Sequence, residues 1–368
     1  MQNVQQVDRG SFTAGYRPVS PWVESYRPAD PAAFERTMDL LERGNLREAM
    51  HTDDLPVALA GSTDLIVANS FGEIVQPWRA CFTTGPISTF RENKLHAGLY
   101  LEVDDEKGGT SMSGRFPLIP EGGRYDEARV GEYYNTIQLG TYGGLVSFTR
   151  EMLANDDLMM LRDLSTWMGQ VMANTLNYYV ANALQESAST TVSGLTMADG
   201  VRLFATATTR GNMVSSGTPL SHANVEAQVA LFGAQTDPAG ITNDKRGLRP
   251  AYLIVPSALR LTAQKIVADA AMITGDATTV TSKNQLSDLK VVVIPDLSSN
   301  VDWYLAAAPS QVRTVHVGFY QGRETPELFT QAANVDLAND GQKYKIRHDW
   351  DVAPVGYWGM RKVDDTTT

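Results

Sequence analysis

The sequence has few of the features that mark secreted, membrane-spanning or metal-rich proteins. It contains a single cysteine, Cys81, in 368 residues, so no internal disulfide can form and a cysteine-rich metal site is excluded. No apolar run approaches the roughly 18 residues that a membrane-spanning helix needs. The first residues also lack the basic and then apolar pattern of a signal peptide. We therefore expect a protein that needs neither a membrane nor an oxidising compartment.

Positive charge is also in short supply. Lysine and arginine number 31 against 42 aspartates and glutamates, which gives a net charge of -11. This balance disfavours proteins whose affinity for nucleic acid or anionic membranes rests on neutralising phosphates. A local basic patch is still compatible with it, and acidity is a common route to solubility.

The usual signatures of enzymes are missing as well. The sequence has no GxSxG, GxxxxGK[ST] or HExxH motif, and no GxGxxG between a strand and a helix. Its five histidines are dispersed, and the one tempting local cluster is His348 with Asp349, Trp350 and Asp351. These residues could bind a metal or exchange protons, but the pattern favours a strand whose polar side chains alternate outward. We expect no catalytic residue, no cofactor and no metal.

The residues that are present indicate a folded protein with long, unusual elements. A content of 43% hydrophobic and 20% charged residues suits two or three domains. Residues 1–32 are polar and rich in proline, tyrosine and arginine, without helical or strand periodicity, which predicts an extended arm.

Strand-like segments from Thr89 to Leu139 flank a loop rich in glycine and acidic residues, which predicts one long hairpin. Arms of about 25 residues would be roughly 60 to 80 Å long, whereas a compact chain of this size has a radius of gyration of only about 21 Å. We expect the hairpin to reach beyond its own subunit. The alternative is an ordinary meander that folds onto the body.

A proline-free segment beginning at Asp156 predicts a helix of about 30 residues, roughly 45 Å long. Acidic residues in its first turn favour the helix dipole. Its apolar stripe indicates helix packing rather than a cofactor-binding face. The predicted core residues of this helix are Leu161, Leu164, Met168, Val171, Met172 and Tyr179.

The second half of the chain predicts strands and helices in a mixed sheet. "RPAYLIVPSALRLTAQKIVADA" indicates a buried strand that continues through Pro256 into a helix, and "LKVVVIPDL" indicates a second buried strand. "SHANVEAQVALFGAQTD" indicates a helix capped by Ser221. "QKYKIRHDWDVAPVGYWGMRK" is typical of a closing pair of strands. This order of elements implies an α+β or α/β domain, and α+β is the class that we expect for the chain.

The order of these elements resembles a known family. A polar arm, a long hairpin, "YGGLVSFTREMLANDD", a long helix, "RPAYLIVPSALRLTAQKI", "DWYLAAAP" and a closing "YKIRHDWDVAPVGYWGMRK" follow one another. This order resembles the major capsid proteins of tailed phages with the Hong Kong 97-type fold. It is most similar to the branch of the Mu-like major head subunit and the protease-capsid fusion proteins, and the resemblance runs from Trp78 to Lys362.

The resemblance implies an N-arm, an extended hairpin called the E-loop, a peripheral P-domain with a spine helix, and an axial A-domain. We expect residues 1–32 in the arm, 33–85 and 141–194 in the P-domain with the spine helix at 156–187, 86–140 in the E-loop, 195–305 in the A-domain, and 306–368 in closing strands and the tail.

The implied function is a structural head protein that assembles into hexamers and pentamers of an icosahedral shell around double-stranded DNA. The implied location is the virion, with assembly in the host bacterial cytoplasm. The implied partners are other copies of the chain, a scaffold or protease, a portal and a decoration protein, with packaged DNA held without sequence-specific contact and no membrane. The chain shows no long coiled-coil scaffolding segment before the arm, so we expect a separate scaffold, a cleaved precursor or a fused protease.

The residues expected at contacts between subunits are charged residues of the arm and the hairpin: Arg17, Arg27, Arg91, Glu92, Lys94, Lys107, Glu121, Arg124 and Glu127. Lys94 and Lys107 could form salt bridges or an isopeptide crosslink to a neighbour's asparagine, although no asparagine partner is singled out. The alternative functions are an encapsulin-type nanocompartment shell, a tail or ring component, and an enzyme centred on His348.

Overall fold

The computed structural model describes residues 65–104, 110–111, 121–122, 128–149, 158–185, 196–206, 210–215, 217–238, 240–268, 271–273, 280–331 and 341–365. The predicted arm at 1–32, with Arg17 and Arg27, lies outside the described residues. So do three predicted hairpin residues, Lys107, Arg124 and Glu127.

Helices and strands are both abundant in the described chain. The helices are α1 (65–73), α2 (Leu158–Gln185), α3 (His222–Ala234), α4 (Asn243–Arg246) and α5 (Arg260–Ala268). The strands are β1 (Thr83–Ile87), β2 (Asn93–Asp104), β3 (Thr110–Ser111), β4 (Ala128–Ile137), β5 (Gly140–Thr149), β6 (Met213–Ser215), β7 (Pro250–Val255), β8 (Ala271–Ile273), β9 (Val280–Lys283), β10 (Lys290–Val293), β11 (Trp303–Ala307), β12 (Val315–Tyr320), β13 (Glu327–Gln331), β14 (Gly341–Pro354) and β15 (Met360–Asp364). The predicted α+β class is confirmed.

The chain divides into two compact units. Of the described residues, those in 65–75, 141–174 and 324–348 belong to the first unit, and those in 76–140, 175–323 and 349–365 belong to the second.

In the first unit, α1 and α2 approach each other closely at Gly169. A Cβ placed on Gly169 would lie 2.5 Å from the carbonyl oxygen of Val67 and 3.0 Å from the Cβ of Ser70. Only glycine therefore lets the two backbones come this close. Glycine is normally unfavourable inside a helix, and here close packing offsets that cost.

Strands β13 and β14 pair antiparallel in the first unit, with Glu327 opposite Arg347. Arg347 Nη2 donates to Glu327 Oε2 at 2.7 Å across this pair. Strand β5 also pairs with β14. A Cβ on Gly143 would overlap the carbonyl oxygen of Ile346, so β5 depends on glycine at this point.

In the second unit, β1 pairs parallel with β12, and β12 pairs antiparallel with the end of β14. A small apolar cluster joins these strands to the base of the hairpin. Ile87, Ile137, Leu139 and Ala353 are its buried members. A Cβ on Gly318 would overlap the side chain of Ile87, so the cluster packs against bare backbone there.

A second sheet of this unit has the strand order β10-β7-β11-β15-β6. Strands β7 and β10 are parallel and α5 lies between them in the chain, as the strand-helix-strand pattern predicts. All five residues of β11 are buried, because this strand is paired on both edges and covered on both faces. Trp303, Leu305 and Phe232 belong to the core cluster beside it. The predicted cap of α3 is present, since Ser221 Oγ accepts the Asn224 N–H at 3.3 Å.

The two closing strands are present as predicted, but they do not pair with each other. Strand β14 pairs with β12, β13 and β5, whereas β15 pairs with β11 and β6 in the other sheet. The first four residues of β15 are all buried. A strand buried on both faces belongs inside a covered sheet rather than in a terminal hairpin.

In the part of the chain that the structure describes, no helix is both long enough and apolar enough to cross a membrane.

We predict that Gly169→Ala lowers the free energy of unfolding of the unassembled subunit by about 1 to 3 kcal/mol, because the new Cβ meets a backbone oxygen that cannot move alone. Helix propensity by itself would change stability in the other direction by about 1 kcal/mol. Urea unfolding followed by circular dichroism measures the sum. Gly144→Ala is the matched control, since a Cβ there meets nothing within 4 Å. A Gly169→Ala protein at least as stable as the wild type would contradict the close helix crossing.

Candidate assembly surface

The predicted hairpin is present as a sheet of its own with the strand order β3-β2-β4. Strands β2 and β4 pair antiparallel from Asn93 opposite Ile137 to Val103 opposite Ala128. The 12 residues of β2 correspond to about 40 Å of extended chain. We call 93–96 and 133–137 the hairpin root, and 98–104 and 128–132 the distal hairpin.

One face of the root carries exposed charged and aromatic side chains. Lys94 Nζ lies 4.3 Å from the ring centroid of Tyr134, and His96 Nδ1 contacts Glu132 Oε1. Tyr134 remains 37% exposed. Tyrosine is enriched at protein interfaces, and charged side chains lie at their polar rims.

The other face of the root is held by three alternating residues of β4, which we call the root clamp: Tyr133, Asn135 and Ile137. Asn135 is 1% exposed, donates from Nδ2 to the Pro354 carbonyl and accepts the Ala198 N–H at 2.9 Å. Ile137 lies in the small apolar cluster. Since the side chains of a strand alternate, one strand presents an exposed face and a fixed face.

Tyr133, at one end of the root clamp, lies close to the buried side chain of Arg210. Its hydroxyl donates to Asp199 Oδ2 at 3.4 Å, and its ring packs edge-on against Trp358 at 5.8 Å. Arg210 Nη2 lies 2.6 Å from both carboxylate oxygens of Asp199, and its guanidinium lies 4.3 Å from the Tyr357 ring centroid. Burial, and then the Asp199 charge, raise the pKa of Tyr133, so its hydroxyl stays a hydrogen-bond donor.

A carboxyl group lies beside the chain segment that leaves the root. Asp351 accepts the backbone N–H groups of Val352 and Gln138, the residue that directly follows β4. Burial raises the pKa of the Asp351 carboxyl to about 6, although both N–H groups favour the charged form.

Three side-chain amides hold the turn before β15, and sequence patterns did not identify them. Asn243 Nδ2 donates to the Trp358 carbonyl at 2.8 Å, while Gln235 Nε2 and Asn212 Nδ2 donate to the Tyr357 carbonyl at 2.9 and 3.3 Å. Asn243 is 115 positions and Asn212 is 145 positions from its acceptor. No local motif marks such pairs, so only the tertiary structure could have found them.

The charged residues predicted at subunit contacts are exposed where the structure describes their side chains. Arg91, Glu92, Lys94 and Glu121 are all exposed. Lys94 contacts the ring of Tyr134 within the same subunit. Their role at subunit contacts stays a prediction.

The predicted core stripe of α2 needs a correction at Val171. Met168 and Met172 are buried, but Val171 is 41% exposed, close to Trp167 at 57%. Neighbouring helical residues are about 100° apart around the helix axis, so Val171 and Met172 cannot both lie at the centre of the buried face. Leu164 and Tyr179 are half-buried, and the side chain of Leu161 lies outside the described residues. The predicted stripe omitted fully buried residues of α2, which are Ala173, Leu176, Val180, Ala181 and Leu184.

The histidine singled out in the sequence also lies differently from the expectation. His348 is 3% exposed rather than outward-facing, and its ring packs edge-on against Phe71 at 5.4 Å. Among the described residues, no group of three histidine, cysteine or acidic side chains is placed to hold a metal ion.

We predict a pH-dependent effect of Asp351→Asn. Because the pKa of Asp351 is raised in the folded state, its protonated form contributes stability that is lost as the pH rises from about 4 through about 6. Asparagine mimics the protonated form at every pH. The difference in free energy of unfolding between the variant and the wild type should therefore shift in favour of the variant by about 2 to 3 kcal/mol from pH 4 to pH 8. Urea unfolding at both pH values measures this, and an equal difference at the two pH values would refute it.

No curated protein matches this chain. Among solved structures, it is similar to one from Mycobacterium phage Adephagia, with 14% identity over 80% of this chain and 91% of that chain and a TM-score of 0.48. It is similar to the capsid structure of the cyanophage P-SCSP1u, with 10% identity, 81% and 92% coverage and a TM-score of 0.49. It is also similar to the virus-like particle from Pyrococcus furiosus, with 8% identity, 82% and 98% coverage and a TM-score of 0.44.

A family model gives the more direct result. The model described as "Phage capsid protein" matches residues 132–363, which begin inside β4, next to the hairpin root, and end in β15. That match spans well over half of the 368 residues. The family is one of structural capsid proteins. The chain therefore belongs to the phage capsid protein family, as a major capsid protein of the virion.

Proposed function

We propose that copies of this chain form hexamers and pentamers that close into an icosahedral head around double-stranded DNA. The observation that carries the proposal is the hairpin, a separate sheet with a fixed root and an exposed charged and aromatic face. Small isolated sheets are marginal in water, so a second copy of the chain is the natural surface for it to pack on.

Assembly would then depend on many modest contacts rather than on one strong interface. A closed symmetric shell repeats each contact in every subunit, so individually weak interfaces become collectively stable. The exposed charges of Arg91, Glu92 and Glu121 would favour correct register between copies more than raw affinity. The net charge of -11 would help to keep packaged DNA from adhering to the protein.

Finer aspects of the function follow from the sequence resemblance and stay proposals. They are membership of the Mu-like and protease-capsid fusion branch, the division into N-arm, E-loop, P-domain and A-domain, and assembly in the host cytoplasm. A scaffold or protease, a portal and a decoration protein are the further partners that we propose.

We predict that a shortened hairpin leaves a folded subunit that cannot close shells. Replacing residues 99–132 by Asn-Gly keeps Gly98 opposite Tyr133 and joins them by a tight turn. The root clamp remains, so thermal unfolding should match that of the wild type. Electron micrographs and light scattering should show monomers or small rings in place of closed particles.

Wild-type protein in the same buffers is the reference. Closed particles formed by the shortened variant would remove the hairpin from the proposal. Wild-type particles that enclose protein but no DNA when made in cells would favour a nanocompartment. Wild-type rings that never close would favour a tail component.

A further inference from the structure

The pairing of β2 with β4 contains one irregularity. His96 lies opposite Tyr134, but the next pair is Gly98 opposite Tyr133, so Ala97 is an extra residue in β2. The pairs on both sides of it follow one another regularly from Asn93 to Val103. Such a β-bulge bends its strand and increases the local twist.

The bulge lies at the boundary between the root and the distal hairpin. Tyr133, opposite Gly98, is the outermost residue of the root clamp and contacts Asp199 and Trp358. On the root side of Ala97, Asn135 and Ile137 hold β4 in place. The direction in which the distal hairpin continues from this fixed root is therefore set where the bulge lies.

The bulge is not required by the pairing itself. His96 is exposed, while Ala97 and Gly98 are both half-buried. If Ala97 were absent, the exposed His96 would be followed directly by the half-buried Gly98. Every residue pair of the distal hairpin would keep its partner and stay on the same face of the sheet. Gly98 is not in the left-handed region, and a Cβ there meets nothing within 4 Å. The extra residue therefore changes the path of the strand rather than its pairing.

A small change of direction at Ala97 has a large effect at the far end of β2. The seven residues from Gly98 to Asp104 correspond to about 23 Å of strand, so each 10° of bending moves the end by about 4 Å. A shift of that size exceeds the length of a hydrogen bond, which is about 3 Å. A surface that receives the distal hairpin would lose its complementary contacts.

We propose that the bulge at Ala97 is a positioning element, which directs the distal hairpin towards a second copy of the chain and thereby sets the diameter of the shell. This inference rests on the proposed assembly function. It assigns a specific role to one residue that carries neither charge nor a binding group.

The test is deletion of Ala97, with Ala97→Gly as the matched control that keeps the extra residue. Thermal unfolding of unassembled subunits measures the fold, and cryo-electron microscopy measures particle diameters. The deletion variant should unfold like the wild type but lose closed particles of wild-type diameter. The Ala97→Gly variant should keep them.

A second variant covers the case in which the deletion prevents folding. It lacks Ala97 but carries an alanine inserted between Leu101 and Glu102, which restores the chain length and moves the bulge along β2. It should fold and also lose particles of wild-type diameter.

Particles of wild-type diameter from either bulge variant would overturn the inference, as would their loss in Ala97→Gly. If neither bulge variant folds, the bulge is a folding requirement and the inference is rejected. Failure of the wild type to form any shell would instead refute the proposed function, so the two failures are distinct.

Discussion

The second unit depends on the buried amide of Asn135. Its two ends bind the backbone of two distant segments, at Ala198 and Pro354, and the side chain is 1% exposed. Removing either bond would leave a buried polar group unpaired, at a cost of about 1 to 3 kcal/mol. Because Asn135 lies between Tyr133 and Ile137, hydrogen bonding and apolar packing act on one short stretch of β4. The hairpin thus begins from a rigid root.

Other buried polar groups in this unit follow the same rule. Asp302 and Lys362 form a buried ion pair at 3.3 Å, and Arg361 Nε donates to Gln228 Oε1 at 2.6 Å. Burial raises the pKa of Asp302, and the Lys362 charge opposes that rise. Such pairs add little net stability, but an unpaired member would be costly, so they favour one arrangement of strands over others. A capsid subunit has use for this specificity, since small errors in one copy are repeated throughout a shell.

Much of the element content could be predicted from the sequence, because it depends on local signals. The long helix α2, the Ser221 cap and the buried strands β7 and β10 all follow from periodicity, capping residues and apolar runs. Errors arose where neighbours in space decide the outcome. Val171 is exposed because α2 packs along a slightly different face. Strand β15 joins the sheet of β11, where its buried charged residues Arg361 and Lys362 find partners in Gln228 and Asp302.

The sequence by itself determined the types and order of the elements, the α+β class and the resemblance to phage capsid proteins, since these depend on patterns within short stretches and on their succession. The tertiary structure decided which strands pair, where the root clamp closes and where Ala97 interrupts the pairing. The physical reason is sequence distance. The Asn135 side chain and the Pro354 carbonyl are 219 positions apart, and no local pattern encodes which buried polar groups will meet.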